Sequence, residues 1–574
     1  MLILPAMKHL YPLLTFLLLS GIAFGQDLRH YDYLNRSGIT NPPADSLNHS
    51  SVRNLYPFTQ PMEPLPLALH GQKWYNILFN KVFHENLLVI NRPGYLITAD
   101  PLFDVELGKD FEPGKNTWLN TRGFQVYGKI DSLNGKSRNR TSRPAFEFYT
   151  SYYESQGLFP RYIDSLSSLA SGVPGQGSFA RANGTWDHGY ATGWARYSPG
   201  KIFSFELGTG RNFFGNGYRS MLLSDNARNY PYFRIDTRIW RIHYTNLWAE
   251  FQDNRFQDTR GGAYQKKYGA FHYLSYSITK RLELSFFESV IWQGRDSTHT
   301  RGFDINYLNP VIFYRPVEWT MGSPDNAMMG TNLSYRFFDR TFLYGQFLID
   351  EYSVKHMKAR DGWYANKYAG QIGAKTYINI GDIKLLKRKA LAPNPLPSPA
   401  SRFTIHDSPR GIFLQTEFNF ARPYTFSHYN TKQNYANFSQ PLAHPLGANF
   451  KEWVSFARIH WDRLLIEGRY SLAKFGTNPK GLNYGQNIFL PYTTYVNELG
   501  NFIGQGLSNK LTYKSLTLSY LLNPASLLNI FITLTQRTQI SSITLNPSPT
   551  PNTNQTLWLT LGIRNSIRNF YYDN

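Results

Sequence analysis

The 574 residues are 42% apolar and 16% aromatic, with 40 Tyr, 41 Phe, no Cys and a formal charge of +21. Without cysteine there is no disulfide, thiolate metal site or lipid-anchor thiol. A mean hydropathy of -0.41 argues against a helical membrane protein, yet suits a transmembrane barrel, in which only every second strand residue faces lipid.

The first predicted element is an export signal over 1–25. Lys8 and His9 precede the apolar run Leu13 to Leu19, and Ala23-Phe24-Gly25 is a small-x-small cleavage site before Gln26. Met7 is an alternative start. The apolar run is shorter than the ~20 residues that span a bilayer, and no other stretch reaches ~18 apolar residues. For an exported chain the positive charge points to acidic partners such as lipopolysaccharide phosphates or uronic-acid polysaccharides rather than to nucleic acid.

Residues 26–117 read as a short N-terminal periplasmic segment. "NPPADSLNHSSVRNLYPF" and "QPMEPLPLALH" are Pro-rich and polar, and Trp74 to Ile90 fits one helix. From 118 to 574 the pattern changes to period two, as in "AFEFYTSYYES", "RLELSFFESVIWQ" and "LTYKSLTLSYLL". In the last, Leu511, Tyr513, Ser515, Thr517 and Ser519 share one face, against Lys514, Leu516, Leu518 and Tyr520 on the other. Tight turns at 198–201, 279–280, 339–340, 462–463 and 523–526 alternate with long loops at 294–326, 426–447 and 477–508. Outer-membrane barrels have this asymmetry, with the short turns periplasmic.

Sixteen such segments stand out. If the tight turns share one side, two crossings are missing, one around 210–237 and one around 156–186. The expectation is therefore an all-β, antiparallel transmembrane β-barrel of about eighteen strands, with sixteen as the alternative. By the same parity the basic run 384–402 lies on the periplasmic side as an insert. The aromatic-rich end "RNFYYDN" suits a final barrel strand.

The stretch from Gly210 to Asp236 looks catalytic but fails the tests for it. Gly-x-x-x-x-Gly-Lys-Ser/Thr is absent. Ser224-Asp225-Asn226 precedes Ser277-x-x-Lys280 instead of following it, and Lys-Thr-Gly is missing. His188, His243, His272, His428 and His444 show no His-Glu-x-x-His spacing. An outer-membrane hydrolase assembled from distant strands has no local support, and a diffusion porin is a further alternative. What remains is a polar segment in which Arg211, Arg219 and Arg228, with Asp225 and Asn226, either pair to plug a lumen or contact a hydroxyl-rich or anionic ligand.

The block "FGNGYRSMLLSDN" (Phe214 to Asn226), with "YLNPVIFYRPVEW", "GSPDNAMMG", "QFLIDEY", "EFNFARPYTFSHYN" and "QPLAHPLGANF", resembles the Wzi-type capsule-assembly family and RemB-type gliding motility proteins. The matches span Glu206 to Phe450. This resemblance implies an outer-membrane barrel with a closed lumen, no catalysis and no cofactor. The partners it implies are surface or capsular polysaccharide and motility or capsule-export proteins, beside lipopolysaccharide and outer-membrane lipid. Carried over as polysaccharide contacts are Arg219, Asp225, Asn226, Arg315 and Glu318. Asp325, Asn326, Asp350 and Glu351 are polar clusters that either contact polysaccharide as well or instead close the lumen. The loop 424–450, rich in Tyr and Asn, is expected either to display its aromatics outward to sugars or to form an interface girdle.

Overall fold

The computed structural model describes residues 49–53, 74–131, 145–170, 172–177, 180–257, 264–295, 300–311, 325–380, 410–542, 551–565 and 571–573. The predicted signal 1–25 and the basic run 384–402 lie outside them. Eighteen long strands close into one antiparallel barrel. In chain order these are β1 Tyr95–Asp110, β2 Lys115–Asp131, β3 Ala145–Leu158, β4 Thr185–Ser198, β5 Phe203–Gly210 and β6 Tyr230–Ile239. Then come β7 Ile242–Gln257, β8 Tyr264–Ser277, β9 Leu282–Gln293, β10 Asn326–Phe338, β11 Thr341–Glu351 and β12 Lys367–Asn379. The wall is completed by β13 Gly411–Ala421, β14 Phe450–Trp461, β15 Leu464–Thr477, β16 Leu507–Asn523, β17 Leu528–Ser542 and β18 Pro551–Arg564. Each strand pairs with its neighbour in sequence, and β18 returns to β1 through Leu561↔Leu107.

Strict alternation makes these segments strands. On β16, Tyr513, Thr517 and Ser519 are buried toward the lumen, while Leu516 and Tyr520 are exposed on the outside. Across strands the outward positions line up. Ile412, Ile459, Ile466, Leu518, Ile532, Leu561 and Leu107 form an unbroken apolar row over seven strands. Only hydrocarbon satisfies such a belt, and closure leaves no unpaired edge, so the protein is a transmembrane β-barrel. No helix among the described residues is long and apolar enough to cross a membrane. Aromatic side chains (Phe203, Trp240, Phe338 and Trp461) stand exposed at the short-turn rim, as at a bilayer interface.

All sixteen strands read from the sequence are present. Of the two supplied by parity, that near 210–237 is β6. The one placed at 156–186 is not there: this stretch holds helix α2 (Arg161–Leu169). The eighteenth strand is β1, inside the stretch 26–117 set ahead of the barrel, so the barrel begins at Tyr95. Its lumen face is acidic (Asp100, Asp104, Asp110), and Pro101 breaks the strand signature. Proline is tolerated there because residue 101 falls between two partners. Leu88–Arg92 pairs with 95–99, and β18 pairs with 104–110.

Two further expectations for 26–117 change. Trp74 to Ile90 is not one helix: helix α1 covers Trp74–Phe83, and the chain then turns into the hairpin strand Leu88–Arg92. Asn86 anchors that turn, its side-chain amide donating to Asp100 Oδ2 at 2.6 Å. Residues 49–53 sit within the barrel, where Val52 pairs with Phe214 and Arg53 with Phe213. The flanks of 384–402, β12 and β13, meet at the short-turn rim, where Ile380 N–H donates to the Arg410 carbonyl at 2.9 Å.

Candidate functional site in the lumen and at its mouth

An eighteen-stranded wall encloses space that its own side chains do not fill. Here two inter-strand segments, 211–229 and 422–449, fold inward and fill it. Met221, Leu222 and Leu223 from the first pack with Phe426, Tyr435, Leu442, Ala443 and Leu446 from the second, all in one buried apolar cluster. Ser224 N–H donates to the Leu442 carbonyl at 2.8 Å, and the Tyr435 hydroxyl donates to the Leu222 carbonyl at 2.7 Å. Phe214 stacks on Tyr273 of the wall at 4.5 Å. Gly215, with φ 134°, passes so close to the wall that a Cβ would collide with Gln346. A loop with its own hydrophobic core is a plug.

Arg219 holds the plug to the wall. It is 1% exposed and donates through Nη2 to Glu452 Oε1 at 2.9 Å and to Asp573 Oδ1 at 3.0 Å. Its guanidinium also lies over Tyr218 (4.7 Å) and Tyr571 (4.9 Å). Glu417 on β13 accepts from the backbone N–H groups of Tyr218 (2.7 Å) and Arg219 (3.0 Å). Residues 571–573 are thus not part of a final strand, which ends at Arg564; they lie in the lumen as ligands of the plug.

The other sequence-derived candidates also point inward. Arg211 donates to the carbonyls of Asp225 and Gly175. The Asp225 carboxylate accepts from the Tyr571 hydroxyl. Asn226 donates through Nδ2 to the Pro441 carbonyl at 2.9 Å. The arginine Arg219 therefore pairs not with Asp225 or Asn226 but with Glu452 and Asp573, acids that are remote in the chain. Asp325 accepts from Arg301 Nη1 (2.8 Å), the Tyr307 hydroxyl (2.7 Å) and Gln433 Nε2 (2.9 Å). Asn326 donates to the Gln433 carbonyl at 2.8 Å. Asp350 and Glu351 both face Lys367, at 3.1 and 3.3 Å. Arg315 and Glu318 lie outside the described residues.

Loop 424–450 departs most from expectation. Tyr424, Phe426, Tyr435 and Phe450 are fully buried, and its described aromatic at the surface is Tyr429, 41% exposed. The apolar content that looked like display is plug core. Partly exposed aromatics gather instead at the long-loop rim, from 352–366 and 478–506 beside Tyr429. Tyr364 stacks on Tyr495 at 3.9 Å, with Tyr492 at 6.2 Å, and Trp363 stacks on His356 at 4.7 Å. Backbone bonds join the two loops: Tyr364 N–H donates to Glu498 O (2.9 Å) and Asn501 N–H to Gly362 O (2.8 Å). Lys367 Nζ sits over the Tyr492 ring at 4.2 Å. Burial, then the Lys367 charge, pushes the nearby His428 imidazole down to about 3, so it is neutral at physiological pH. The result is a partly exposed aromatic platform over the buried Lys367, with Lys358, Arg360 and Glu498 exposed on the same two loops.

Sequence reading missed Glu417, Glu452 and Asp573. For the first two a signal existed, since each is an acid on the lumen-facing parity of a strand, in "EFNFA" and "KEWVSF". No group of three or more His, Asp or Glu that could hold a metal occurs among the described residues.

No family model matches the chain, and no curated protein does. Solved structures do. Wzi, an outer membrane protein involved in group 1 capsule assembly in Escherichia coli and described as a carbohydrate-binding β-barrel, is 12% identical over 82% of this chain and 85% of its own, with a TM-score of 0.45. OprD of Pseudomonas aeruginosa is 11% identical over 82% of this chain and 94% of its own, with a TM-score of 0.38. OccK1 (OpdK) of the same organism is 11% identical over 82% and 98%, with a TM-score of 0.39. What Wzi binds is a property of Wzi.

Proposed function

We propose that this protein is a non-catalytic outer-membrane barrel that binds or organises surface polysaccharide, for capsule attachment or for gliding. The observation that carries the reading is the aromatic mouth, Trp363, Tyr364, Tyr492 and Tyr495, set above a filled lumen. Aromatic faces accept the C–H faces of sugar rings. On the same two loops the exposed Lys358, Arg360 and Glu498 supply charge and hydrogen bonds for carboxylates and hydroxyls. A plug with its own core opposes free diffusion, so the polymer is held at the mouth and not conducted. Arg211, Arg219, Asp225, Asn226, Asp325 and Asn326 then act by fixing the plug and the loops it supports. The motif matches from Glu206 to Phe450, which resemble Wzi-type proteins, support the same reading.

A deletion strain tests it. Loss of surface-retained polysaccharide, or of gliding, on deletion and its failure to return with a Tyr364→Ala, Tyr495→Ala double variant is the expected result. Retention and motility equal to the parent in the deletion strain would overturn the assignment.

A further inference from the structure

The outer wall carries one cluster of charge without an obvious use. On β14, β15 and β16, Lys451 stands directly opposite Lys474, and Lys474 directly opposite Lys510. All three are exposed, face away from the lumen and lie within four residues of the long-loop end of their strands. Like charges in direct cross-strand register repel, and none of the three forms an ion pair among the described residues. Two other outward cations on that half of the wall have an acid beside them, whereas Lys109 stands between Leu559 and Asn116. Lys266 pairs with Glu250 at 2.8 Å, and Arg122 stands opposite Glu154.

The row one pleat nearer the membrane centre is Phe418, Trp453, Leu472 and Thr512, so the lysines sit where an aromatic girdle gives way to head groups. Below the girdle the wall is hollowed. A depression of about 720 Å³ is lined by Thr416, Ser455, Ala457, Gly468, Tyr470 and Lys514. It exists because two adjacent outward rows place small residues where the belt elsewhere places Ile and Leu. Lys514, four residues below Lys510 on the same face, is about 13 Å along the strand from it at ~3.3 Å per residue, a depth from which a lysine side chain snorkels toward the polar layer.

We propose that this face binds an acylated, multiply phosphorylated lipid of the outer leaflet, the chemistry of a lipopolysaccharide anchor. Its phosphates lie across Lys451, Lys474 and Lys510, and an acyl chain lies in the depression beside Gly468. Charge complementarity selects the head group, and the hollow selects an acylated ligand over a soluble anion. The site is separate from the sugar-binding mouth and rests only on the barrel's place in the bilayer.

The test uses the full chain in nanodiscs of zwitterionic phospholipid. Bis-phosphorylated lipid A, its dephosphorylated form and inorganic phosphate are titrated in separate arms. The expected result is saturable binding of phosphorylated lipid A alone. A Lys451→Gln, Lys474→Gln, Lys510→Gln triple variant weakens it by about fivefold per lysine removed. A Lys201→Gln variant at the short-turn rim leaves it unchanged. Gly468→Leu, which has room for a Cβ, fills the hollow and weakens lipid A binding while the barrel stays folded by its heat-shifted electrophoretic mobility. Equal affinity of the folded triple variant, equal binding of the dephosphorylated lipid, or full competition by inorganic phosphate would each overturn the proposal. So would unchanged affinity in Gly468→Leu.

Discussion

The outer wall and the lumen of this barrel are built from the same strands, yet they are stabilised in opposite ways. On β16, Leu516 and Leu518 face outward into a continuous apolar belt, while Thr517 and Ser519, one residue away, face inward. The belt needs no partner beyond hydrocarbon. The lumen is polar and water-excluding at once, so every charge in it requires a named partner. Arg219 has Glu452 and Asp573, Arg458 has Glu467, and Lys367 has Asp350. Substitution tolerance should therefore differ between faces by chemistry, not by depth.

The largest effect is expected in the lumen. Arg219→Ala leaves Glu452 with only His444, and Asp573 with only the longer contact to Arg469, as ion-pair partner among the described residues, and costs about 3–5 kcal/mol, read from denaturant unfolding of the refolded barrel in detergent. If the plug were loosely held and hydrated, the loss would be under 1 kcal/mol. The wall gives the converse experiment. Leu516→Arg introduces a cation into the lipid face and costs ~2–4 kcal/mol in bilayers, against a much smaller loss in a zwitterionic micelle that water penetrates. Equal losses in both would place β16 outside the membrane.

Acid sharpens the comparison at the mouth. With His428 held near 3 by burial and by Lys367, the folded state stays unprotonated while the unfolded state takes up a proton below about 6.5. Stability contributed here is thus intact above pH 6.5 and falls as pH drops from 6.5 toward 3. At pH 5 the loss is about 2 kcal/mol, and a His428→Gln variant should flatten that part of the pH profile. The smallest effect belongs to the exposed pair Lys266–Glu250. Lys266→Ala should change stability by under ~1 kcal/mol, and that difference should vanish in high salt.

The same contrast explains what the sequence disclosed. Period-two alternation depends on one face being apolar, so the strands with a clean lipid face were readable, sixteen of them in the right places. β1 was not, because Pro101 interrupts a run whose acids, Asp100 and Asp104, otherwise keep the lumen parity; the proline is tolerated in the gap between Leu88–Arg92 and β18. Parity recovered the count and misplaced one crossing, since parity carries no position. The plug residues were visible as a polar, glycine-bearing segment, but their partners were not. Glu452 is 233 residues from Arg219 and Asp573 is 354 away, and nothing local couples them. Loop 424–450 misled because Tyr and Phe serve a buried core as readily as a sugar-binding surface; burial alone separates the two.

Single-channel recording in planar bilayers addresses the filled lumen most directly. The account predicts that the refolded protein inserts without discrete conductance steps, while Arg219→Ala shows intermittent openings as the plug loosens. Stable, porin-sized conductance from the unmodified chain would contradict it.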